Sequence, residues 1–138
     1  MNVVDRDPRR IQQWQSPHLP VHEPGLIDVV RVSRDGSESH DAAINRTMDA
    51  GMMALRLPRH PNLFFTTDAA DSISQADIVF LAVNTPTKTF GLGAGRATDM
   101  TAVDEAVRKI AVHARQGAII VEKSTVPCGT AQRVRAVV

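Results

Sequence analysis

A single cysteine in 138 residues rules out an intramolecular disulfide framework and any zinc site built on several thiolates. It fits a reducing compartment, with the cytosol as the default. No apolar run approaches the ~18 residues that a membrane span needs. The chain opens on Asn2-Val-Val-Asp-Arg6 rather than on a basic segment followed by an apolar one, so neither membrane insertion nor export is expected. Excess charge is also missing, since 16 basic and 15 acidic residues leave a formal net charge of +1. With no basic run interleaved with aromatics, nucleic acid is not an expected partner. His18, His22, His40, His60 and His113 show no metal-ligand spacing, and no Ser/His/Asp constellation can be assembled. No metal is expected.

What is present is a succession of short elements. At this length the chain is one domain at most, able to bury roughly 68% of its unfolded surface if its fold is complete. Val3-Val4 before Asp5 reads as the end of a buried strand, and Pro8 to Gln15 as a helix with proline in its first turn. Three prolines between Ser16 and Gly25 impose a loop, and Gly25 to Val32 reads as a short helix. From Ser33 to His60 the pattern dissolves: 34–41 is polar, and Met48, Met52, Met53, Leu55 and Leu57 keep no period. Order returns with a strand at Leu63 to Thr66, a helix near Ala69 to Gln75 and a strand at Ile78 to Val83. A glycine-rich loop, 91–97, follows. Met100, Val103, Val107, Ile110 and Ala114 then share one face of a helix that stops before Gly117. Ala118 to Val121 is the last strand, and Val126 to Val138 is helical. Four strands alternating with helices predict an α/β fold, a parallel sheet covered by helices, because parallel strands need crossovers.

The chemistry gathers at strand ends. Asp5 ends the first strand, where a carboxylate either accepts hydrogen bonds from ribose hydroxyls and disfavours a 2′-phosphate, or caps the next helix. Arg10, one helical turn on, either reaches the adenine or the ribose of such a ligand or is simply solvated. After Val83 come Asn84, Thr85, Pro86 and Thr87; Pro86 ends the strand and turns these small donors and acceptors toward whatever lies over the sheet edge. An ordinary strand-ending turn is the alternative. Lys88 either attracts a phosphate or is exposed. Ser124, Thr125 and Val126 repeat the arrangement after the last strand, where the two hydroxyls either cap the following helix or meet a polar ligand at its N-terminus. Gly91-Leu-Gly-Ala-Gly95 fails as a phosphate cradle, because it does not join a strand directly to a helix, and reads as a mobile loop. Cys128 reads as a small packing residue, with a lowered thiol pKa at a helix start as the alternative.

Together these strings resemble the NAD-binding domain of the UDP-glucose/GDP-mannose dehydrogenase family, in the form of the UDP-glucose 6-dehydrogenases of animals, plants and fungi. The matching segments are 3–11, 14–26, 62–67, 76–99 and 121–131, in the family's order, and Lys88-Thr-Phe-Gly-Leu-Gly-Ala-Gly-Arg-Ala97 is the most specific of them. The resemblance implies a doubly wound, Rossmann-like parallel sheet and NAD as cofactor. It implies oxidation of UDP-glucose to UDP-glucuronate by two successive hydride transfers to NAD, through a thiohemiacetal and a thioester on a catalytic cysteine. By resemblance, Asp5 and Arg10 hold the adenosine end of NAD; Val83, Asn84, Thr85, Pro86 and Thr87, with Ser124, Thr125 and Val126, line its central and nicotinamide portions. Thr125 additionally helps to position a water near the reacting carbon, an auxiliary catalytic role.

Three departures accompany the resemblance. The family's first strand and Gly-rich turn precede the position of Met1, so residues 1–138 read as a partial NAD-binding domain. Because that strand is central, two interior edges are expected to be unpaired. Each unsatisfied buried backbone group costs about 1 to 3 kcal/mol, against a net stability of only ~5 to 15 kcal/mol. The nucleophilic cysteine and the sugar-nucleotide domain fall beyond Val138, and Cys128 stands where relatives carry an apolar residue, so the chain alone is expected to be inactive. Residues 33–60 have no family counterpart and read as an irregular insertion. Val32-Ser33 can be encoded by GTGAGT, a splice-donor sequence, which suggests translated intron and an internal start at Met1. A non-catalytic remnant that binds a nucleotide or pairs with a full-length subunit is the alternative function. The family assembles largely through regions beyond Val138, so a homo-oligomer is compatible with the resemblance but not implied by these residues.

Overall fold

In the computed structural model, which describes residues 1–37 and 59–138, the chain runs β1 (Asn2–Val4), α1 (Pro8–Gln15), α2 (Leu26–Asp35), β2 (Phe64–Thr66), α3 (Ala69–Ser74), β3 (Ile78–Leu81), α4 (Thr101–His113), β4 (Ile119–Glu122) and α5 (Thr130–Val137). These elements fall into two units, Met1–Thr67 and Asp68–Val138.

In the first unit β1 and β2 pair in parallel, from Asn2 opposite Phe64 to Val4 opposite Thr66. Asp7 starts α1: its carboxylate accepts the Arg9 N–H at 2.9 Å, and Pro8 occupies the first helical position, where a missing N–H costs nothing. α2 runs to Asp35, three residues into the stretch expected to be irregular. The Arg34 guanidinium holds that last turn from outside, donating to the carbonyls of Trp14 at 2.7 Å and Ser16 at 2.9 Å and pairing with Asp35 at 2.7 Å. The same hydrogen bond keeps the Asp35 carboxyl below its ordinary range and the Arg34 guanidinium above its own. α2 stops at Gly36, whose φ of +81° suits glycine; a Cβ there would lie 2.7 Å from the Arg59 carbonyl oxygen. Ser37 and Arg59 exchange two backbone hydrogen bonds of 3.0 Å, so the chain leaves for 38–58 and returns at one point. Most of the expected insertion, Met48 to Leu57 included, lies outside the described residues. Ile11, Val30 and Phe65 form the core, with Val3, Trp14, Leu19, Leu26 and Leu63 around them. The Trp14 ring stacks on Phe65 at 5.4 Å and 6°.

In the second unit β3 and β4 pair in parallel, from Ile78 opposite Ile119 to Leu81 opposite Glu122. Period two sends Val79, Leu81 and Ile120 to one face, where the α4 stripe covers them. Val103, Val107 and Ile110 are all buried there, and Met100 and Ala114 join them as the spacing predicts. Each fully buried aliphatic chain contributes about 1.5 to 3 kcal/mol. On the other face Ile78, Phe80 and Ile119 are 49%, 61% and 58% exposed, so this sheet is covered on one side only.

The strands expected in one sheet thus form two parallel pairs, and among the described residues β1 and β3 each have one strand partner. Several boundaries also move. β3 ends at Leu81 rather than Val83, because the Val83 carbonyl is taken by a side chain rather than a ladder N–H. α5 begins at Thr130 rather than Val126: Pro127 lacks an N–H, and Gly129 starts the helix with no side-chain cap.

Candidate functional site

At the end of β1 the Asp5 N–H donates to the Thr66 carbonyl at 3.2 Å, which carries the parallel ladder one residue beyond the strand. Its carboxylate folds back on the turn: Oδ1 accepts the Asp7 N–H at 2.9 Å, and Oδ2 lies 3.5 Å from Arg10 Nη1. The helix-capping alternative therefore belongs to Asp7, a residue that the Asp-Pro signature marks and that the sequence reasoning passed over. Asp5 and Arg10 are brought together, with their side chains 30% and 56% exposed. A pair so exposed contributes little to stability, since both charges keep their water. Its chemical use is different: an accessible carboxylate beside a guanidinium can accept two hydroxyls of a vicinal diol and repels a phosphate in their place.

At the ends of β3 and β4 two strand-end turns are laced to each other. The Ser124 hydroxyl donates to the Val83 carbonyl at 2.8 Å and lies 3.3 Å from that of Leu81. The backbone N–H groups of Lys123 and Ser124 both reach the Leu81 carbonyl, at 2.9 and 3.2 Å. Val83 and Val126 pack against the α4 core and anchor the two turns from below. Ser124 does not cap α5, as one reading of the sequence had it; its hydroxyl is spent on the opposite turn. Asn84 and Thr125 are exposed and Thr85 is half-buried, and among the described residues their side chains make no hydrogen bond. Small hydroxyl and amide groups of this kind, held on fixed backbone over a sheet edge, suit a neutral polar ligand with both donors and acceptors.

Pro86 and Thr87 open the excursion to the glycine loop. The Pro86 carbonyl accepts the Asp99 N–H at 2.7 Å, Thr87 bridges Thr98, and Lys88 N–H donates to the Ala97 carbonyl at 2.8 Å. The loop expected to be mobile is thus closed by its own backbone, and a Cβ on Gly93 would meet that of Ala97 at 2.7 Å. Phe90 and Leu92 stand 83% and 98% exposed at its tip. Asp99 accepts the Thr101 hydroxyl at 2.6 Å and its N–H at 2.9 Å. These bonds hold its carboxyl below the ordinary range, with a smaller contribution from the charge of Lys88. Cys128 is exposed in the turn before α5, not packed as expected. No group of three or more metal-ligating side chains occurs among the described residues, and no helix among them is long and apolar enough to cross a membrane.

Comparison with known proteins places the chain in a family. A sequence model described as the NAD binding domain of the UDP-glucose/GDP-mannose dehydrogenase family matches residues 46–138. The chain is 40% identical over 134 residues to a UDP-glucose 6-dehydrogenase of Drosophila melanogaster, covering 97% of this chain and 23% of that protein. It is 42% identical over 132 residues to UDP-glucose 6-dehydrogenase 1 of Arabidopsis thaliana, covering 96% and 22%. Among solved structures, a ternary complex of GDP-mannose dehydrogenase from Pseudomonas aeruginosa superposes with a TM-score of 0.65 at 24% identity, over 96% of this chain and 24% of that one. That likeness shows the doubly wound, Rossmann-like α/β fold. The chain spans less than a quarter of the length of the curated relatives named here.

Proposed function

Since the chain belongs to the UDP-glucose/GDP-mannose dehydrogenase family, through its NAD-binding domain, we propose that it forms part of the wall of the NAD site in a UDP-glucose 6-dehydrogenase. In this reading Asp5 takes the adenosine ribose hydroxyls and Arg10 the adenosine end. Val83 to Thr87 and Ser124 to Val126 line the central and nicotinamide portions, and Thr125 helps to place a water near the reacting carbon. Bound NAD supplies the hydride acceptor; these residues bind it, orient it and choose it over its 2′-phosphorylated form. The observation that carries the reading is the Ser124 hydroxyl on the Val83 carbonyl, which joins two strand-end clusters at one sheet edge. Open α/β sheets bind ligands beyond the carboxyl ends of their strands.

The substrate of the complete enzyme is UDP-glucose and the compartment is the cytoplasm, in keeping with one exposed thiol; a homo-oligomer is compatible with the resemblance. In this reading residues 1–138 supply NAD-binding walls and not the nucleophile, because Cys128, by resemblance, stands where relatives carry an apolar residue. Residues 33–60 are read as an insertion, and within them the Ser37–Arg59 bridge brings the ends of 38–58 together. Steady NADH production from UDP-glucose by the purified chain would contradict this assignment. Flanking genomic DNA with an in-frame Gly-X-Gly-X-X-Gly upstream and Gly-X-Gly-Gly-X-Cys downstream would support it, as would mature transcripts that lack 33–60.

One observation favours a second reading. Ile78, Phe80 and Ile119 form an uncovered apolar sheet face, which suits a non-catalytic chain that pairs with a full-length subunit. Co-expression with a complete relative separates the two, because only the second predicts a stable mixed complex.

A further inference from the structure

The Ser124 hydroxyl donates to the Val83 carbonyl at 2.8 Å, and no backbone N–H among the described residues reaches that carbonyl. A hydroxyl carries a single hydrogen. The other acceptor near it, the Leu81 carbonyl at 3.3 Å, already takes the N–H groups of Lys123 and Ser124, so Ser124 spends its donor on Val83. That carbonyl belongs to the peptide unit joining Val83 to Asn84. No peptide bond among the described residues is cis, and in a planar trans unit the C=O and N–H point in opposite directions. Drawing the carbonyl toward Ser124, beyond the end of β4, therefore aims the Asn84 N–H away from it. Among the described residues this N–H makes no hydrogen bond, and Asn84 is exposed. In the facing turn only Thr125 is exposed; Ser124 and Val126 are half-buried, the first on the Val83 carbonyl and the second against the α4 core.

We propose that Ser124 is a positioning residue, whose hydroxyl orients the Val83–Asn84 peptide so that the Asn84 N–H and side-chain amide meet an acceptor oxygen of the ligand. Thr125 then makes the direct side-chain contact from the facing turn. The cofactor role rests on the function proposed above and divides its residues into those that touch NAD and those that hold the others in place; the orientation of the peptide does not depend on it. A backbone donor already aimed loses no freedom when the ligand arrives. Without the Ser124 hydroxyl the peptide turns about its flanking bonds, and aiming the donor costs binding free energy.

The test uses the isotope-labelled 138-residue chain and its Ser124→Ala, Ser124→Thr, Asn84→Ala and Ser124→Ala/Asn84→Ala variants, each followed by amide NMR alone and in titration with NAD. The Leu81 carbonyl keeps its two N–H partners in all of them, so the β3–β4 ladder is expected to survive. Without ligand, the Asn84 amide resonance should move in Ser124→Ala, because its nitrogen shares a peptide with the released carbonyl, and should return toward the parent position in Ser124→Thr, which keeps the hydroxyl. With NAD, Ser124→Ala should weaken the apparent Kd by about five- to tenfold, with Ser124→Thr close to the parent. Because Ser124 acts through Asn84, the loss in the double variant should fall short of the two single losses combined. An unmoved Asn84 amide in ligand-free Ser124→Ala would overturn the proposal. So would a threonine variant as impaired as the alanine one, or fully independent losses in the double variant, which would mean that Ser124 touches the ligand itself. A ligand-free shift at Asn84 with no NAD response anywhere in the parent would leave the peptide orientation standing and sink the cofactor reading.

Discussion

Replacing Ser124 by alanine removes one oxygen and with it the side-chain link between the two candidate turns. The lost bond is the 2.8 Å contact from the Ser124 hydroxyl to the Val83 carbonyl. A neutral hydrogen bond contributes about 0.5 to 1.5 kcal/mol net, and a buried group left unpaired costs about 1 to 3 kcal/mol. The contact is only part-buried, so water relieves some of the penalty, and a loss of about 1 to 1.5 kcal/mol is the expectation. The Leu81 carbonyl keeps the N–H groups of Lys123 and Ser124, so the β3–β4 ladder survives and the damage stays local. For a chain of this size the loss corresponds to a fall in Tm of about 3 to 6 °C. Melts followed by far-ultraviolet circular dichroism would read it, with Ser124→Thr, which retains the hydroxyl, closer to the parent. A Ser124→Ala variant as stable as the parent, or a threonine variant as damaged as the alanine one, would refute the reasoning.

Two further expectations are independent of that link. Because Ser37 and Arg59 already bridge the ends of 38–58, replacing that segment by a four-residue turn should preserve the first unit. The shorter loop would stabilise it by up to about 1.5 kcal/mol through closure entropy. Fluorescence of Trp14, the sole tryptophan, stacked on Phe65, reports this directly; loss of its cooperative transition would contradict the expectation. Asp99 has a carboxyl pKa held low by Thr101, so its contribution is complete above the ordinary aspartate range of about 4 and is lost as pH falls through the lowered folded value. The stability gap between parent and Asp99→Ala should therefore be flat from neutral pH down to that range and close below it. A gap that widens on acidification would contradict the assignment.

The parts of the fold legible in the sequence are those that repeat with a period. The α4 stripe from Met100 to Ala114 could be read because a helix buries the same face every three to four residues, and the strands because apolar runs end at turn residues. What escaped depends on partners distant in sequence. β3 stops early because Ser124 takes the Val83 carbonyl, and α2 runs long because Arg34 finds the carbonyls of Trp14 and Ser16. The glycine loop is closed by Lys88, Ala97 and Gly95 backbone groups, which carry no side-chain signature. At the strand ends, the hydrogen bonds fall to other residues than the sequence offered. Asp7 caps α1 where Asp5 was a candidate, and Ser124 binds across the sheet edge where a cap was the simpler reading. The burial of one Glu122 carboxylate oxygen has no trace in composition or spacing.

The central claim, that this chain carries NAD-binding walls, is tested most directly by titrating NAD and NADP into the isotope-labelled chain and following backbone amide shifts. The account predicts weak, saturable shifts confined to Asp5, Arg10, Val83, Asn84, Thr85, Thr87 and Ser124 to Val126, with NAD favoured over NADP because of the Asp5 charge. Shifts confined to other residues, a preference for NADP, or no response from these amides at millimolar NAD would contradict it.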